Sequence, residues 1–480
     1  MPDVTELVTK RGIFIGGKWN EQGNTMEIRS PFDGARIGVV TLAGPLQIEE
    51  AIVSCTRAFS LTRKLPAFER QRVLRSISGK IAERREQFAR SIALEAGKPI
   101  KTARAEVDRA IFTFGVAAEE AVRIGGEYLP LDLQSFSEGR WGIVRRFPVG
   151  PIAAITPFNF PLNLVAHKVA PAIASGCSIL LKPAPQTPLT ALLLAEVVQE
   201  SGWPAGGFNV VPTTNDGAAL IVADDRMKML SFTGSAAVGW MLKANAGKKK
   251  VTLELGGNAA AIVHGDADLD FSAERCANAG FSYSGQSCIS VQRILVQQPV
   301  YDSFLDKFID RVKRLKTGDP LDEATDLGPL IRESDAERAV NWVNEAVAAG
   351  ARLLCGGKRS GALVEPTVLT DTRPEMKVNC EEVFAPVKTV EPYREFSEAL
   401  DRVNQSPYGL QAGLFTNDAR LIFRAYEELE VGGLIVGDVP TFRIDHMPYG
   451  GVKDSGLGRE GLRYAIEAMT EPRLLAMNLR

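Results

Sequence analysis

From Pro151 onward, short apolar runs alternate with helical stretches, and this alternation restricts the fold more than any other feature of the chain. The runs cover 152–155, 178–181, 208–211, 227–232 and 251–255, and the helical stretches cover about 161–175, 188–200, 216–223 and 235–246. Such a pattern predicts a parallel, doubly wound sheet with helices on both faces and ligands at the carboxyl ends of the strands. A second strand-helix series begins near Ala259 and runs to about residue 450. Residues 11–45 carry short β-like pieces at 13–15, 26–28 and 37–40. One long helix is predicted from Pro66 to Gly97, which precedes Pro99, and another over about 103–123.

A chain of 480 residues is too long for one core, so two or three units are expected. With 56 basic and 58 acidic side chains the net charge is −2, which argues against nucleic acid or an anionic membrane as the main partner. No apolar run approaches the roughly 20 residues that span a bilayer, and the amino terminus does not read as a signal peptide. The six cysteines (55, 177, 276, 288, 355 and 380) show no CxxC spacing, and there are only three histidines (167, 264 and 446). No metal site is expected; reduced thiols and a cytoplasmic location are.

Between Val251 and Ser290 the chain places an acid and a thiol where packing alone explains them poorly. Glu254 interrupts the apolar run Val-Thr-Leu-Glu-Leu and precedes Gly256-Gly257. A carboxylate there is costly to bury unless it is paired, hydrated or used. Cys288 follows Gly285-Gln286-Ser287, a small polar turn in which a thiol can reach solvent. In Pro157-Phe158-Asn159-Phe160-Pro161, two prolines rigidify a turn at a strand end and present Asn159, as an ordinary turn residue or as a donor to an oxyanion. Lys182 ends the next strand before Pro183-Ala184-Pro185, solvated or in reach of a ribose or phosphate. Gly234-Ser235 opens a helix whose free N–H groups suit a pyrophosphate. Gly456 to Gly461 fits GxGxxG but follows no strand, and too little chain remains for a βαβ unit. Cys288 is followed by Ile289 rather than Gly, so a nucleophile elbow is absent.

The segments Leu253-Glu254-Leu255-Gly256-Gly257 and Gly285-Gln286-Ser287-Cys288 resemble the two signature motifs of the aldehyde dehydrogenase superfamily, in its order and separation. Glu381 to Pro386 resembles its EEIFGP motif, with Ala385 in place of Gly, and Pro448 to Gly456 resembles a loop near the family's substrate mouth. The resemblance implies an α/β fold of two doubly wound parallel-sheet domains plus a small β oligomerisation arm. The expected division is 1–124 with 149–256 for the dinucleotide, 257–458 for catalysis, and 125–148 with 459–480 for the arm and tail. A homodimer or homotetramer is implied.

By the same resemblance Cys288 attacks an aldehyde, Asn159 and the Cys288 N–H hold the oxyanion, and Glu254 activates the water that hydrolyses a thioester. The cofactor is NAD or NADP, held by Ile155, Thr156, Pro157, Phe158, Lys182, Ala184, Pro185, Gly234, Ser235, Gly239, Leu255, Glu382 and Phe384. NAD-preferring relatives commonly carry Glu where this chain has Pro185, so the barrier to a 2′-phosphate is missing and NADP is permitted. Substrate contacts are expected from Arg109, Phe160, Asn163, His167, Ser287, Ile289, Arg443 and Tyr449. Asn163 and His167 lie four and eight residues after Asn159, on one helical face. Two guanidinium groups with polar neighbours suit an anionic or hydroxylated aldehyde, although either arginine could instead form a structural ion pair. The competing readings are a cofactor-independent cysteine esterase or hydrolase, and a dehydrogenase of neutral apolar aldehydes.

Overall fold

The computed structural model describes residues 10–478; the amino-terminal nine residues and the last two of the expected tail lie outside it. Its largest sheet has eight strands in the order Gly456–Leu457, Lys250–Glu254, Met229–Thr233, Ile152–Ile155, Ile179–Lys182, Phe208–Val210, Ile13–Ile15, Lys18–Asn20. The five central strands are parallel, and the edges are antiparallel. From Ile152–Ile155 the chain winds outward through 179–182 to 208–210, then returns to lay Met229–Thr233 on the other side of its starting strand. That reversal opens a crevice at the carboxyl ends of 152–155 and 229–233, where a doubly wound sheet binds its ligands.

Four of the five central strands are wholly buried and Lys250–Glu254 is buried over its last three residues, which suits near-continuous apolar runs. On the helical faces lie α1 (Pro45–Thr62), α2 (Ala67–Glu83), α3 (Arg85–Ala96), α4 (Ile100–Ala121), α5 (Asn163–Ser175), α6 (Pro188–Glu200), α7 (Asn215–Ala223) and α8 (Ala236–Asn245). The sequence gives little sign of α1. The single helix expected from Pro66 to Gly97 is two. Arg84, at φ −103° and ψ 20°, leaves the helical region and divides α2 from α3.

A second sheet of seven strands runs Arg352–Cys355, Thr367–Thr370, Val387–Tyr393, Arg293–Gln297, Ala260–Val263, Gln411–Phe415, Gly433–Val436, parallel except for its first strand. A third, antiparallel sheet joins Thr470–Asn478 to Arg140–Pro148 and Gly126–Pro130. Gly456–Leu457, beyond the second series, extends the first sheet beside Lys250–Glu254.

Three loops meet between the first two sheets. Gly97 ends α3 at φ +65°, and a Cβ there would lie 2.8 Å from both Pro31 Cγ and Pro329 Cγ. Next to it the Ala96 carbonyl accepts from the Tyr283 hydroxyl at 2.7 Å, and the Gly328 carbonyl accepts from Ser284 Oγ at 2.6 Å. Gly97→Ala therefore combines a left-handed backbone, costing about 1–2 kcal/mol, with a clash against two stiff proline rings. Denaturant unfolding should show a loss of about 2 kcal/mol or more; an unchanged midpoint would contradict this junction.

Candidate active site

The nucleophile candidate is mounted on a strained turn. Tyr283 (φ 48°), Ser284 (φ 54°) and Gly285 (φ 73°) are consecutive left-handed residues. For the two non-glycines this costs about 1–3 kcal/mol each, met by the buried hydrogen bonds of Tyr283 and Ser284 to the neighbouring loops. Gln286 locks the exit, its Oε1 accepting the Ile331 N–H at 2.9 Å. Cys288 emerges partly exposed into a cavity of about 440 Å³ between the two large sheets. Its Sγ lies 2.9 Å from the Tyr449 hydroxyl. Burial pushes the thiol up to about 11, the Tyr449 hydrogen bond pulling the other way.

Glu254 ends its strand in the wall of the same cavity, 3% exposed, with no hydrogen-bond partner for either oxygen among the described residues. Burial holds its carboxyl well above the ordinary range, and the Glu460 charge adds to the effect. Gly450 opposite has φ +156°, and a Cβ there would lie 3.0 Å from Glu254 Oε1. Asn159 is buried on the turn after Ile152–Ile155. Its Nδ2 donates to the Gln286 carbonyl at 3.0 Å, leaving the second N–H of the amide available, and its Oδ1 has no partner among the described residues.

The crevice beyond Cys288 has the features a dinucleotide needs. Gly234 donates its N–H to the Glu254 carbonyl at 3.0 Å and leads into α8, whose first turn has no side-chain cap. Side chains are shut out where the helix packs closely, since a Cβ at Gly239 would meet Leu255 Cδ2 at 2.3 Å. Thr233 Oγ1 is buried without a partner, and burial lowers the Lys182 ammonium, which has no hydrogen bond among the described residues. Glu382 accepts the Gly257 N–H at 2.9 Å and is pushed up to about 7 by burial. A Cβ at Gly256 would lie 2.2 Å from its Oε2, so the glycine pair lets this carboxylate in. Phe384 (φ 51°) packs edge-on against Phe158 at 5.9 Å. These orphaned polar groups and glycine contacts fit a nicotinamide dinucleotide.

Most of the expected site residues line the cavity, including Arg109, Phe160, Asn163, Ser287, Ile289, Arg443 and Tyr449. Among those that do not, Lys182 and Ala184 are buried beside an exposed Pro185 at the strand's end. His167 is buried behind the cavity wall. The arginines are not free charges. Arg109 donates to both oxygens of Asp445, at 3.1 and 2.6 Å. Asp445 Oδ1 also accepts from Asn163 Nδ2 at 3.0 Å and faces His167 Nε2 at 2.8 Å. Burial opposes ionisation of Asp445, but His167 and Arg109 more than offset it and hold the carboxyl far below the ordinary range. Burial and the nearby Arg443 lower the His167 imidazole from its usual value, while the hydrogen bond to Asp445 pulls the other way.

Arg443 stacks 3.6 Å from the Tyr449 ring centroid and donates to Glu460 at 3.2 Å. Glu460 also accepts from Lys168 at 3.3 Å, and Lys168 donates to Ser231 Oγ at 3.0 Å. Burial raises the Glu460 carboxyl, yet the cations around it leave it below the ordinary range. Asp445 and Glu460 have no local signature in the sequence, because His167 and Lys168, which mark them out, lie more than 200 residues away along the chain. Phe160 is held from beneath by Lys98, whose Nζ lies 3.8 Å from its ring, and Lys98 pairs with Glu106. Glu106 in turn accepts the Leu162 and Asn163 N–H groups at the start of α5.

The profile of the Aldehyde dehydrogenase family matches residues 19–475. This chain belongs to that family. It is 45% identical to a 3-sulfolactaldehyde dehydrogenase of Priestia aryabhattai over 475 residues, 98% of this chain and 99% of the relative. Aldehyde dehydrogenase 21 from Physcomitrella patens, solved in complex with the reaction product succinate, superimposes with a TM-score of 0.97 at 45% identity, covering 98% of each chain. Glyceraldehyde-3-phosphate dehydrogenase from Methanocaldococcus jannaschii, solved with NADP, gives 0.92 at 39% identity, covering 96% of this chain and all (100%) of the other. The chain is thus an NAD(P)-dependent aldehyde dehydrogenase with the fold of that family, and the hydrolase alternative is not favoured.

The raised Glu254 carboxyl has a consequence for stability. An acid whose native pKa exceeds its unfolded value contributes fully at low pH and loses that contribution as the pH rises toward the native value. Wild-type protein should therefore lose stability against Glu254→Gln from about pH 4.3 upward, by at most about 1.4 kcal/mol per pH unit. Denaturant titrations of both proteins between about pH 5 and about pH 8 should show a gap that widens in favour of the glutamine variant. A pH-independent gap would mean that Glu254 is ionised in the folded protein.

Proposed function

We propose that the protein oxidises a small polar aldehyde carrying one anionic group, a hydroxyl, or both, to its carboxylic acid. The observation that carries this reading is the pair of guanidinium groups in the wall of the Cys288 cavity. Arg109 and Arg443 line the cavity, each backed by a carboxylate, Asp445 or Glu460, with Lys168 behind Glu460. Guanidinium groups held in a cavity wall in this way suit a single anionic or hydroxylated group on the substrate. The sulfonate and hydroxyl in the Priestia enzyme's substrate name, and the succinate bound to the Physcomitrella enzyme, support the same class.

In this reading Cys288, which reaches solvent, gives its proton to water as its sulfur adds to the aldehyde carbon, and the thiohemiacetal oxyanion takes hydrogen bonds from Asn159 Nδ2 and the Cys288 N–H. When bound, the nicotinamide cofactor supplies the acceptor for the hydride. Glu254, once deprotonated, takes a proton from the water that cleaves the resulting Cys288 thioester. Lys182 and Glu382 are assigned to the two riboses, and the amino end of α8 with Gly234 to the pyrophosphate. Pro185 offers no carboxylate against a 2′-phosphate, so both NAD and NADP are accepted. The eight-stranded unit holds the cofactor, the seven-stranded unit carries Cys288, and the antiparallel arm joins subunits of a cytoplasmic homo-oligomer.

Initial rates of cofactor reduction test this with 3-sulfolactaldehyde, succinic semialdehyde, lactaldehyde and butanal, each with NAD and NADP. The polar aldehydes should exceed butanal by about tenfold or more in kcat/KM, worth about 1.4 kcal/mol. Changing both Arg109 and Arg443 to Leu should raise KM for the anionic substrates alone. An equal effect on butanal, or a wild-type preference for it, would make the arginines purely structural.

A further inference from the structure

The root of the antiparallel arm contains a second cavity, of about 450 Å³, which shares no lining residue with the cavity of Cys288. It lies between the turn joining α1 to α2 and the strands Gly126–Pro130 and Arg140–Pro148. Its charged lining is all of one sign: Arg63, Lys64, Arg70, Arg145 and Arg146 face it, with no carboxylate. This is unusual for the molecule. Elsewhere most arginines are in ion pairs, such as Arg84 with Glu200, Arg226 with Glu49 and Arg359 with Glu337. None of the five cavity cations has a carboxylate partner among the described residues.

Arg70 is the most informative member. Its Nε is buried without a hydrogen-bond partner, and burial lowers its guanidinium from the ordinary value. Gly176, at φ +85°, leaves room for it, since a Cβ there would lie 3.2 Å from Arg70 Nη1. Burying a guanidinium donor unpaired costs free energy that a bound anion would return. Arg146 is fixed by the Glu467 carbonyl at 3.3 Å and the Thr470 hydroxyl at 3.2 Å, which leaves the rest of its fork for other acceptors. The amino end of α2, capped by Pro66 without a side-chain acceptor, opens on the same space. The adjoining cavity across Gly125–Gly126 shares Arg146 and contains Glu120, Glu127 and Glu467, so the carboxylates lie on that side of Arg146 while Arg63, Lys64, Arg70 and Arg145 line the cleft alone.

We propose that this cleft is a binding site for a small polyanion of the phosphate type, gripped by Arg70 at its floor and by Arg63, Lys64, Arg145 and Arg146 around it. Guanidinium forks match phosphate oxygens bidentately. The volume admits either inorganic pyrophosphate or a small phosphorylated metabolite. Because the walls come from the α1–α2 turn and from the arm, an occupant would tie the arm to the body of the subunit.

The test is calorimetric titration of the full-length enzyme with pyrophosphate and, separately, with fructose 1,6-bisphosphate. Saturating NADP fills the dinucleotide crevice, and the ionic strength is held constant. Saturable binding is expected, and the tighter of the two probes tells an inorganic from a metabolite source. Arg70→Met should weaken it by about tenfold or more. The rim variant Arg63→Glu with Arg145→Glu, which leaves the buried floor intact, should do the same with kcat/KM for the aldehyde unchanged. No saturable binding by wild type, or binding unaffected in both variants, would overturn the proposal. So would a rim variant that changes the oligomeric state while wild type binds neither probe, since the cleft would then be a contact between copies of the chain.

Discussion

Two buried carboxylates, Glu254 and Glu460, share one low-dielectric space, and ionising both would be costly. Glu460 has Lys168 and Arg443 against it and is held below the ordinary carboxylate range, whereas Glu254 has no donor within hydrogen-bond reach and is pushed above that range by burial and by Glu460. Much of the site's electrostatics follows from that inequality. Arg443 is committed to Glu460 and to the face of Tyr449, and Tyr449 in turn contacts the Cys288 thiol. Burial pushes both the Cys288 thiol and the Glu254 carboxyl upward, which favours the uncharged form of each.

The backbone that supports this arrangement is arranged around strand ends and glycines. Glu254 is fixed by its strand's register beside Thr233 and by Gly456 on its other side. Ser455 bonds the Gly256 carbonyl at 2.7 Å and accepts the Gly409 N–H at 3.0 Å, so the loop carrying Tyr449 is sewn to the segment carrying Glu254. The left-handed turn before Cys288 is bonded to the Ala96 and Gly328 loops, which couples the nucleophile candidate to both halves of the molecule. Strain at Tyr283 and Ser284 persists because the surroundings over-determine it.

The first sheet was largely legible in the sequence, because its strands are buried on both faces and read as unbroken apolar runs between turn residues. The strands expected at 152–155 and 251–255 lie at Ile152–Ile155 and Lys250–Glu254. The break at Arg84 was not legible, since Glu83, Arg84 and Arg85 are all compatible with helix and only tertiary packing divides them. Glu254 could be singled out because it interrupts an apolar run and Cys288 because it follows a small polar turn, whereas Asn159 reads as an ordinary turn residue that only the family resemblance assigns. Asp445 and Glu460 violate no local expectation, lying in a polar loop where an acid is ordinary. Their importance arises from Arg109, Asn163, His167, Lys168 and Arg443 converging on them in space. The two arginines were anticipated as substrate anchors or as ion-pair partners, and the structure combines cavity lining with ion pairing in the same side chains.

The central claim is that Cys288 carries the acyl group while Glu254 serves only its hydrolysis. Stopped-flow mixing of Glu254→Gln with succinic semialdehyde and cofactor tests it most directly, with mass spectrometry of the quenched protein. The account predicts a rapid burst of reduced cofactor of about one equivalent per active site, slow turnover afterward, and an acyl adduct on Cys288. A folded, cofactor-binding variant that gives neither burst nor adduct would contradict it, because Glu254 would then be needed before the thioester forms.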